Sequence, residues 1–259
     1  WSVASLTVSN CSLRFAAEGF RLTVSGGLTI DAGGKLGIGP LNGGTNPPRV
    51  EVGGDLILTN GGLLYVYGGV TNPPDREYGA VVDVTGILSI GPSSWIHPYA
   101  NQTNGGGVLL QVSHLAVGPG GGINADAKGY ANDRGPGRGS LTGAWGGGAG
   151  FGGRGGDGST ALGGVTYGSV SDPISAGSGG NDWQSTSPGG FGGVGGGIVR
   201  VMAVNSVTVD GTLSANGGFC SHASGGASGG SIFLTCATFG GSGGGGVCLR
   251  QRSAQEYAG

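Results

Sequence analysis

The residues most able to do chemistry in this sequence are aspartates in its glycine-rich middle. They are Asp126, Asp133, Asp157, Asp172 and Asp182. Cleavage of a glycosidic bond needs two carboxyl groups that converge on it, but each aspartate has turn-forming neighbours, as in Asn132-Asp133-Arg134-Gly135. Arg134 and Arg138, close to Asp126 and Asp133, are the only basic residues that a polysaccharide-lyase site could use here. The sequence therefore predicts no catalytic residues and favours a protein that is not an enzyme.

Residue spacing also disfavours metal and cofactor sites. Residues 152–157 (GGRGGD) match the start of a calcium-binding nonapeptide, but the match occurs once, and Ser159 stands where a large aliphatic residue is needed. No Gly-Lys-Ser or Gly-Lys-Thr follows a glycine tract, as a phosphate-binding loop requires. His97, His114 and His222 lie far apart, without acidic or thiol neighbours at ligand spacing. We expect no metal and no cofactor.

Four cysteines, Cys11, Cys220, Cys236 and Cys248, lack the Cys-x-x-Cys spacing of zinc sites. Disulfides in a secreted protein explain them better, with buried free thiols as the alternative. Residues 240–246 read GGSGGGG and bury little apolar surface, so a covalent link would offset the entropy lost on ordering them. We predict one disulfide among Cys220, Cys236 and Cys248, worth about 3 kcal/mol. Cys11 would bond to a neighbouring subunit if the protein forms a filament.

Four further residues are candidate contact or modification sites on the surface. Asn10 and Asn101 begin Asn-x-Ser/Thr sequons and are candidates for N-glycosylation. Trp145 and Trp183 lie among glycines, and their large flat rings could stack against sugars. We therefore take these two tryptophans as the predicted glycan contacts.

Composition limits the class of protein and its partners. The chain has 259 residues with 66 glycines, 10% charged residues and a net charge of −2. It lacks the dense basic stripe that binds nucleic acid, and no apolar run reaches the roughly 20 residues of a membrane span. The glycines have no Gly-X-Y period, which excludes collagen. The chain starts with Trp1 instead of methionine, which fits either a processed secreted protein or a shortened chain.

A short pattern recurs along the chain and predicts its fold. An apolar-x-apolar strand is followed by a tight turn and a second short apolar piece, and the lead residues are Leu6, Leu28, Leu56, Leu88, Leu115 and Val207. Alternating β-branched residues bounded by turns indicate strands. Stacking of such units predicts an all-β parallel β-solenoid in which the lead residues form one inward ladder. An antiparallel β-sandwich is the alternative, but it would need hairpin signals.

A long glycine-rich segment interrupts these repeats. It divides the chain into N-terminal solenoid coils (1–125), a glycine-rich insertion (126–197) and C-terminal coils (198–259), which we expect to form one continuous body. Low complexity is typical of a disordered flap. Phe151, Tyr167 and Phe191, however, are anchors that a flexible linker rarely contains. We favour an ordered insertion of extended, polyglycine-like chains packed side by side.

Two stretches of the sequence resemble known proteins. In residues 189–236, GGFGGVGGGIVRVMAVNSVTVDGTLSANGG followed by GGASGGSIFLTC is similar to glycine-rich repeats of large secreted or surface proteins. The N-terminal LTVSGGLTIDAGGKLGIG resembles the β-helices of adhesins and autotransporter passengers. The resemblance implies an extracellular β-helix with a structural or adhesive role and no enzymatic activity.

Two functional hypotheses follow. The first is an extracellular structural or adhesive protein whose exposed sheet edges join head to tail into a filament. The alternative is a carbohydrate-binding or polysaccharide-cleaving β-helix that contacts surface glycans through Trp145 and Trp183. The expected partners are therefore further copies of the chain or glycans, without nucleic acid and without a membrane span.

Overall fold

A computed structural model describes residues 1–41, 43–71, 78–142, 145–182, 191–243 and 248–251 of the chain. Every helix or strand in these ranges is a β-strand. A helix of the length and apolar character needed to span a membrane is not found in them. The all-β prediction is confirmed for this part of the chain.

Strands are numbered in chain order and form two large sheets and one small one. Sheet A contains 12 strands, which are β1 (Ser2–Val3), β2 (Leu6–Ser9), β4 (Arg21–Val24), β5 (Leu28–Asp31), β7 (Arg49–Val52), β8 (Leu56–Leu58), β10 (Ala80–Ile90), β12 (Val108–Val117), β16 (Ile198–Val209), β18 (Ser231–Cys236), β19 (Thr238–Gly240) and β20 (Cys248–Gln251). Sheet B contains 6 strands, which are β3 (Ser12–Phe15), β6 (Lys35–Ile38), β9 (Leu63–Tyr67), β11 (Trp95–Tyr99), β13 (Gly122–Asn124) and β17 (Thr212–Ser214). The short strands β14 (Leu141–Thr142) and β15 (Trp145–Gly146) form an antiparallel pair.

The pairing in both large sheets is parallel, as predicted. The main path of sheet A has the order β1-β4-β7-β10-β12-β16-β18-β20, and sheet B has the order β17-β13-β11-β9-β6-β3. Parallel neighbours need a crossover connection. From β1 to β18 on this path, a strand of sheet B lies in each crossover, as β6 does between β4 and β7. This arrangement is consistent with a β-helix or solenoid-like fold.

The inward ladder predicted from the repeats is present in sheet A. Strand pairing aligns the lead residues in one line: Leu6, Leu28, Leu56, Leu88, Leu115 and Val207. All except Leu6 are 0% or 1% exposed. The apolar side chains of successive units therefore pack directly on one another and form the core.

Tight turns recur where the chain passes from sheet A to sheet B. Left-handed φ values of 51°, 48°, 48° and 58° occur at Asn10, Ala32, Asn60 and Ser93. Asparagine tolerates this conformation better than most residues. Adjacent turns are also bonded to each other, because Asn60 Nδ2 donates to Asp31 Oδ1 at 2.9 Å. The stacked turns keep sheet B at a constant position along each unit.

The glycine-rich residues are joined by backbone hydrogen bonds in closed cycles. Gly180 N donates to Gly193 O at 2.9 Å. Gly193 N donates to Gly225 O at 3.2 Å, and Gly225 N returns to Asn181 O at 2.8 Å. Three segments bonded in a cycle cannot be neighbours in one flat sheet, where each strand has its two partners on opposite sides. These segments therefore pack around one another.

Close backbone approach explains why these positions are glycine. A Cβ added to Gly195 would lie 1.8 Å from Gly177 O, and one added to Gly180 would lie 1.9 Å from Gly225 O. Contacts under 3.0 Å are essentially never seen for real Cβ atoms. Neither glycine has a left-handed φ. The segments lie at a separation that only a residue without a Cβ permits.

Replacing Leu56 by aspartate tests the inward ladder. An unpaired buried charge costs several kcal/mol, so Leu56→Asp is expected to lower the free energy of unfolding by more than about 3 kcal/mol or to prevent folding. The adjacent Ile57 is 38% exposed, so Ile57→Asp is the matched control, with an expected change within about 0.5 kcal/mol. Urea denaturation followed by circular dichroism measures both. Equal stabilities would show that the register is wrong.

A pair of glycine substitutions tests the packing of the glycine-rich segments. Gly195→Ala forces a methyl group against Gly177 O and is expected to cost about 1–3 kcal/mol, as overpacking does. A Cβ on Gly152 would meet nothing within 4 Å, so Gly152→Ala should be neutral or slightly stabilising. Thermal unfolding of the two variants gives the comparison. If Gly195→Ala matched Gly152→Ala, the close approach would be refuted.

Candidate functional site

The outward surface of sheet B collects the aromatic side chains of two neighbouring strands. Side chains alternate between the two faces of a strand, so Tyr65 and Tyr67 of β9 share a face with Trp95, His97 and Tyr99 of β11. The register pairs Tyr65 with His97 and Tyr67 with Tyr99. The residues between them, including Leu64 and Ile96, are buried in the core. We call these five residues the aromatic face.

The paired rings of the aromatic face stack on each other. The centroids of Tyr65 and His97 are 5.0 Å apart with an interplanar angle of 21°. Those of Tyr67 and Tyr99 are 4.7 Å apart with an angle of 23°. Stacking at this distance stabilises a pair by about 0.5–1.5 kcal/mol beyond the area that it buries. The in-register pairing of β9 and β11 thus continues outward through the side chains.

A cation lies at each end of the Tyr67–Tyr99 stack. The guanidinium carbon of Arg14 is 4.9 Å from the ring centroid of Tyr67. Lys128 Nζ is 5.3 Å from the ring centroid of Tyr99. Arg14 belongs to β3 and Lys128 follows β13, so they approach from opposite sides in the strand order of sheet B. Each contact is a cation–π interaction that holds the outer ring in place.

Two strand glycines make room for large side chains on this surface. A Cβ on Gly122 would lie 2.6 Å from the ring of Trp95, and a Cβ on Gly37 would lie 3.4 Å from Arg14 Cγ. Glycine inside a strand usually marks a close approach of this kind. The side chains of Trp95 and Arg14 therefore extend across the neighbouring strand; a Cβ at Gly122 would clash with the Trp95 ring, whereas one at Gly37 would only touch Arg14.

Burial sets the protonation states on the aromatic face. Lys128 is 9% exposed, and its Nζ donates to Asn124 Oδ1 at 2.8 Å and to Asp126 O at 3.0 Å. Burial lowers the pKa of Lys128, while the Asp126 charge opposes that change. Burial, with a smaller contribution from Lys128, also lowers the pKa of His97. The imidazole is therefore neutral at pH 7, between permanently charged Arg14 and the hydrogen-bonded Lys128.

The outward surface of sheet A differs because its charges are paired. Arg21 and Arg49 both bind Glu51, and Arg49 also lies 3.2 Å from Asp83. The hydrogen bond from Arg21 is the largest cause of a lowered pKa of Glu51. These side chains are 22–64% exposed, so their pairing contributes little stability. Strands β4, β7 and β10 of sheet A therefore present paired charges, whereas sheet B presents aromatic rings and cations.

Of the five candidate aspartates, the structure brings Asp133 and Asp182 together. Asp182 N donates to Asp133 Oδ1 at 2.9 Å. The other three have separate partners: Asp126 Oδ1 accepts from Asn216 N, Asp157 Oδ1 pairs with Arg154, and Asp172 N donates to Ser169 Oγ. One pair of carboxyl groups is thus the only set to examine for catalysis among these five.

The contacts of Asp133 and Asp182 fit a structural role. Asn132 Nδ2 donates to both carboxylate oxygens of Asp182 at 2.8 and 2.7 Å, and Gly192 N donates to one of them at 2.6 Å. Burial raises the pKa of Asp133, and the hydrogen bond from Asp182 N opposes this change. Arg138 Nη1 donates to the backbone oxygen of Asp133. Protein donors already occupy the oxygens of Asp182, so the pair joins three chain segments.

The calcium-like segment is also occupied by protein contacts. Asp157 Oδ1 lies 2.6 Å from Arg154 Nη2 and accepts a hydrogen bond from Gly163 N at 2.6 Å. The guanidinium thus takes the position that a cation would need. Among the residues whose structure is described, no cluster of three or more potential metal ligands is found.

The other predicted surface residues have different accessibilities. Trp145, on β15, is 49% exposed, whereas Trp183 lies outside the described residues. Asn10 is exposed in its turn. Asn101 is 3% exposed, and its Oδ1 accepts two backbone N–H groups at 2.9 and 3.0 Å. Asn10 is therefore the more accessible of the two sequons.

The disulfide prediction is not supported, since Cys11, Cys220 and Cys236 are free thiols. The side chain of Cys248 lies outside the described residues. Strand pairing aligns Cys236 with Gln251 and Cys248 with Phe233. The two cysteine positions are thus three residues apart along the strands, about 10 Å, whereas a disulfide needs Cα atoms within about 7 Å. Cys236 instead packs in the core, where burial raises its pKa.

The aromatic face is the feature that sequence reasoning missed. Its signal is present as LLYVY at residues 63–67 and WIHPY at residues 95–99, each directly after a turn. Aligning the repeats on their turns would have placed Tyr65 beside His97 and Tyr67 beside Tyr99. Trp145 and Trp183 drew attention because they stand out among glycines, not because a register joins them to other rings.

No family model, curated protein or solved structure matches this chain. Its function must therefore be argued from the chemistry of the aromatic face and from the open edges of the sheets.

Proposed function

We propose that this chain is an extracellular structural and adhesive β-solenoid protein that binds carbohydrate through the outward surface of sheet B. The observation that carries the proposal is the aromatic face. Tyr65, Trp95, His97 and Tyr99 are partly exposed there. Stacking and cation–π contacts hold the tyrosines and His97 in place, and strand pairing sets the position of Trp95. Rigid aromatic side chains with polar ends give contact area at low entropic cost.

The chemistry of this surface suits a sugar chain. Rings offer apolar contact to the C–H faces of pyranoses, while phenol hydroxyls and the exposed guanidinium of Arg14 offer hydrogen bonds to sugar hydroxyls. The surface extends along successive strands, which are about 4.8 Å apart, so a linear polysaccharide could contact several rings. No carboxyl pair lies on the strands of sheet B. Binding without cleavage is therefore the activity that we propose.

We further propose that sheets A and B close into a solenoid and that residues 126–197 form an ordered insertion of polyglycine-like chains. The hydrogen-bond cycle through Gly180, Gly193 and Gly225 supports this. Extended chains without internal hydrogen bonds must satisfy their backbone groups through neighbours. The network also reaches Ser228, which accepts from Gly196 N at 2.9 Å. On this proposal, the insertion packs against residues that precede β18.

An extracellular location is part of the proposal and rests on the resemblance to secreted repeats. The free thiols of Cys11, Cys220 and Cys236 remove the disulfide argument for secretion. The abundance of glycine and the low charge are compatible with a structural protein.

A polysaccharide array with the purified chain tests carbohydrate binding. Loss of central aromatic contacts is expected to weaken binding to any positive polysaccharide about tenfold or more in the double variant Tyr65→Ala/Trp95→Ala. Trp145→Ala removes another exposed tryptophan and should bind like the unchanged chain. Circular dichroism checks that the variants fold. Binding to no glycan, or loss in Trp145→Ala alone, would contradict the proposed surface.

Head-to-tail self-association is a second candidate function, favoured by the edge that contains β1, β2 and β3. Among the described strands, each of these three pairs on one side only. Unpaired edge N–H and C=O groups can accept a further strand. Trp1 is 53% exposed, its ring lies 5.2 Å from Phe15, and Phe15 stacks on Phe20 at 4.4 Å. We propose a second copy of the chain as the occupant of this edge.

Negative-stain electron microscopy and size-exclusion chromatography at rising protein concentration test this self-association. Filaments or concentration-dependent oligomers are expected, and Trp1→Asp should reduce them because a charge would be brought into the contact. A protein that stays monomeric at high concentration would refute the proposal. Pairing only with a preceding segment of a longer chain would also refute it.

A further inference from the structure

The two large sheets differ in where acidic residues occur. No aspartate or glutamate occurs in the six strands of sheet B. Arg14 and Lys35 on β3 and β6 are the charged residues of those strands. Sheet A, by contrast, contains Glu51 and Asp83 among its outward residues. The surface that carries the aromatic face is therefore cationic, although the whole chain has a net charge of −2.

Arg14 and Lys35 are exposed cations without a carboxylate partner among the described residues. One hydrogen bond of Arg14 runs from Nη2 to Gly39 O at 3.0 Å, and its guanidinium lies over Tyr67. The guanidinium has five N–H donors, so several stay available in a fixed orientation. Such a pre-organised fork matches a carboxylate. Arg21 and Arg49, by comparison, already bind Glu51.

The register brings the cations into line with the rings. One row across sheet B contains Arg14, Gly37, Tyr65 and His97. The row two residues away contains Lys35, Leu63, Trp95 and Gly122. With neighbouring strands about 4.8 Å apart, the cations lie within about 15 Å of the rings along the same direction.

We propose that the outward surface of sheet B binds a carboxylate-bearing polysaccharide, with Arg14 and Lys35 holding uronate carboxylates and with Tyr65 and Trp95 contacting the sugar rings. This inference rests on the proposed carbohydrate binding and adds the class of ligand. Nucleic acid is the less suitable anion, because tight phosphate binding needs many cations. This surface has two unpaired cations, which are too few for tight phosphate binding, and its rings already stack on each other.

The test compares polygalacturonate with its fully methyl-esterified form, which has the same sugars without the negative charges. The folded chain of 259 residues is titrated with each polymer by calorimetry at low and high salt. We expect at least about tenfold tighter binding to the acid, since hydrogen bonds between charged groups dominate the difference. High salt should reduce that preference.

Two double variants locate the interaction. Arg14→Gln/Lys35→Gln should lose the preference for the acid. Arg21→Gln/Arg154→Gln removes the same charge from exposed positions outside sheet B and should keep it. Equal binding of acid and ester would overturn this inference and leave carbohydrate binding intact. The inference is also overturned if neither polymer binds while neutral glycans do, if both double variants lose the preference equally, or if single-stranded DNA binds more tightly than polygalacturonate.

Discussion

In-register parallel pairing is the constraint on which the rest of this structure depends. Each position of one unit lies directly against the same position of the next, as Leu28 does against Leu56 and Leu56 against Leu88. A position that points into the core must therefore be apolar in every unit, because a polar side chain there would be buried without a partner. On the outward side, the same rule brings Tyr67 against Tyr99. The core and the aromatic face are two consequences of one register.

In the glycine-rich segments, backbone hydrogen bonds replace side-chain packing, because no side chains separate the backbones. The order there depends on N–H groups finding carbonyl groups on neighbouring segments, as Gly180 finds Gly193. A buried backbone group without a partner costs as much as a lost hydrogen bond. Packing without Cβ atoms brings those groups close enough to be satisfied. High glycine content, typical of linkers elsewhere, is here what allows close packing.

Sequence patterns predict contacts that follow from the repeat. They fail where a contact depends on burial or on the alignment of strands that are distant in sequence. The position of Leu56 in the inward ladder follows from its place in the repeat, and strand pairing confirms it. The stack of Tyr65 on His97 follows from the alignment of β9 with β11, which becomes visible only when the repeats are aligned on the turns that precede these two strands. The disulfide prediction is not supported, and composition could not show that strand pairing sets Cys236 three residues away from Cys248. Asp133 and Asp182 meet only because the segments between them fold back.

Lys128 connects the paired strands of sheet B with the hydrogen-bonded glycine-rich segments. The backbone oxygen of Lys128 accepts a hydrogen bond from Ala100 N at 2.8 Å, which ties Lys128 to the end of β11. The neighbouring Gly129 N donates a hydrogen bond to Gly195 O at 2.7 Å. The ammonium of Lys128 lies over Tyr99 and binds Asn124 Oδ1. A buried amine is costly unless such partners compensate it. The same residue thus orders the last ring of the aromatic face and fixes the start of the glycine-rich segments. A loss of packing around Gly195 would therefore reach the aromatic face through Lys128.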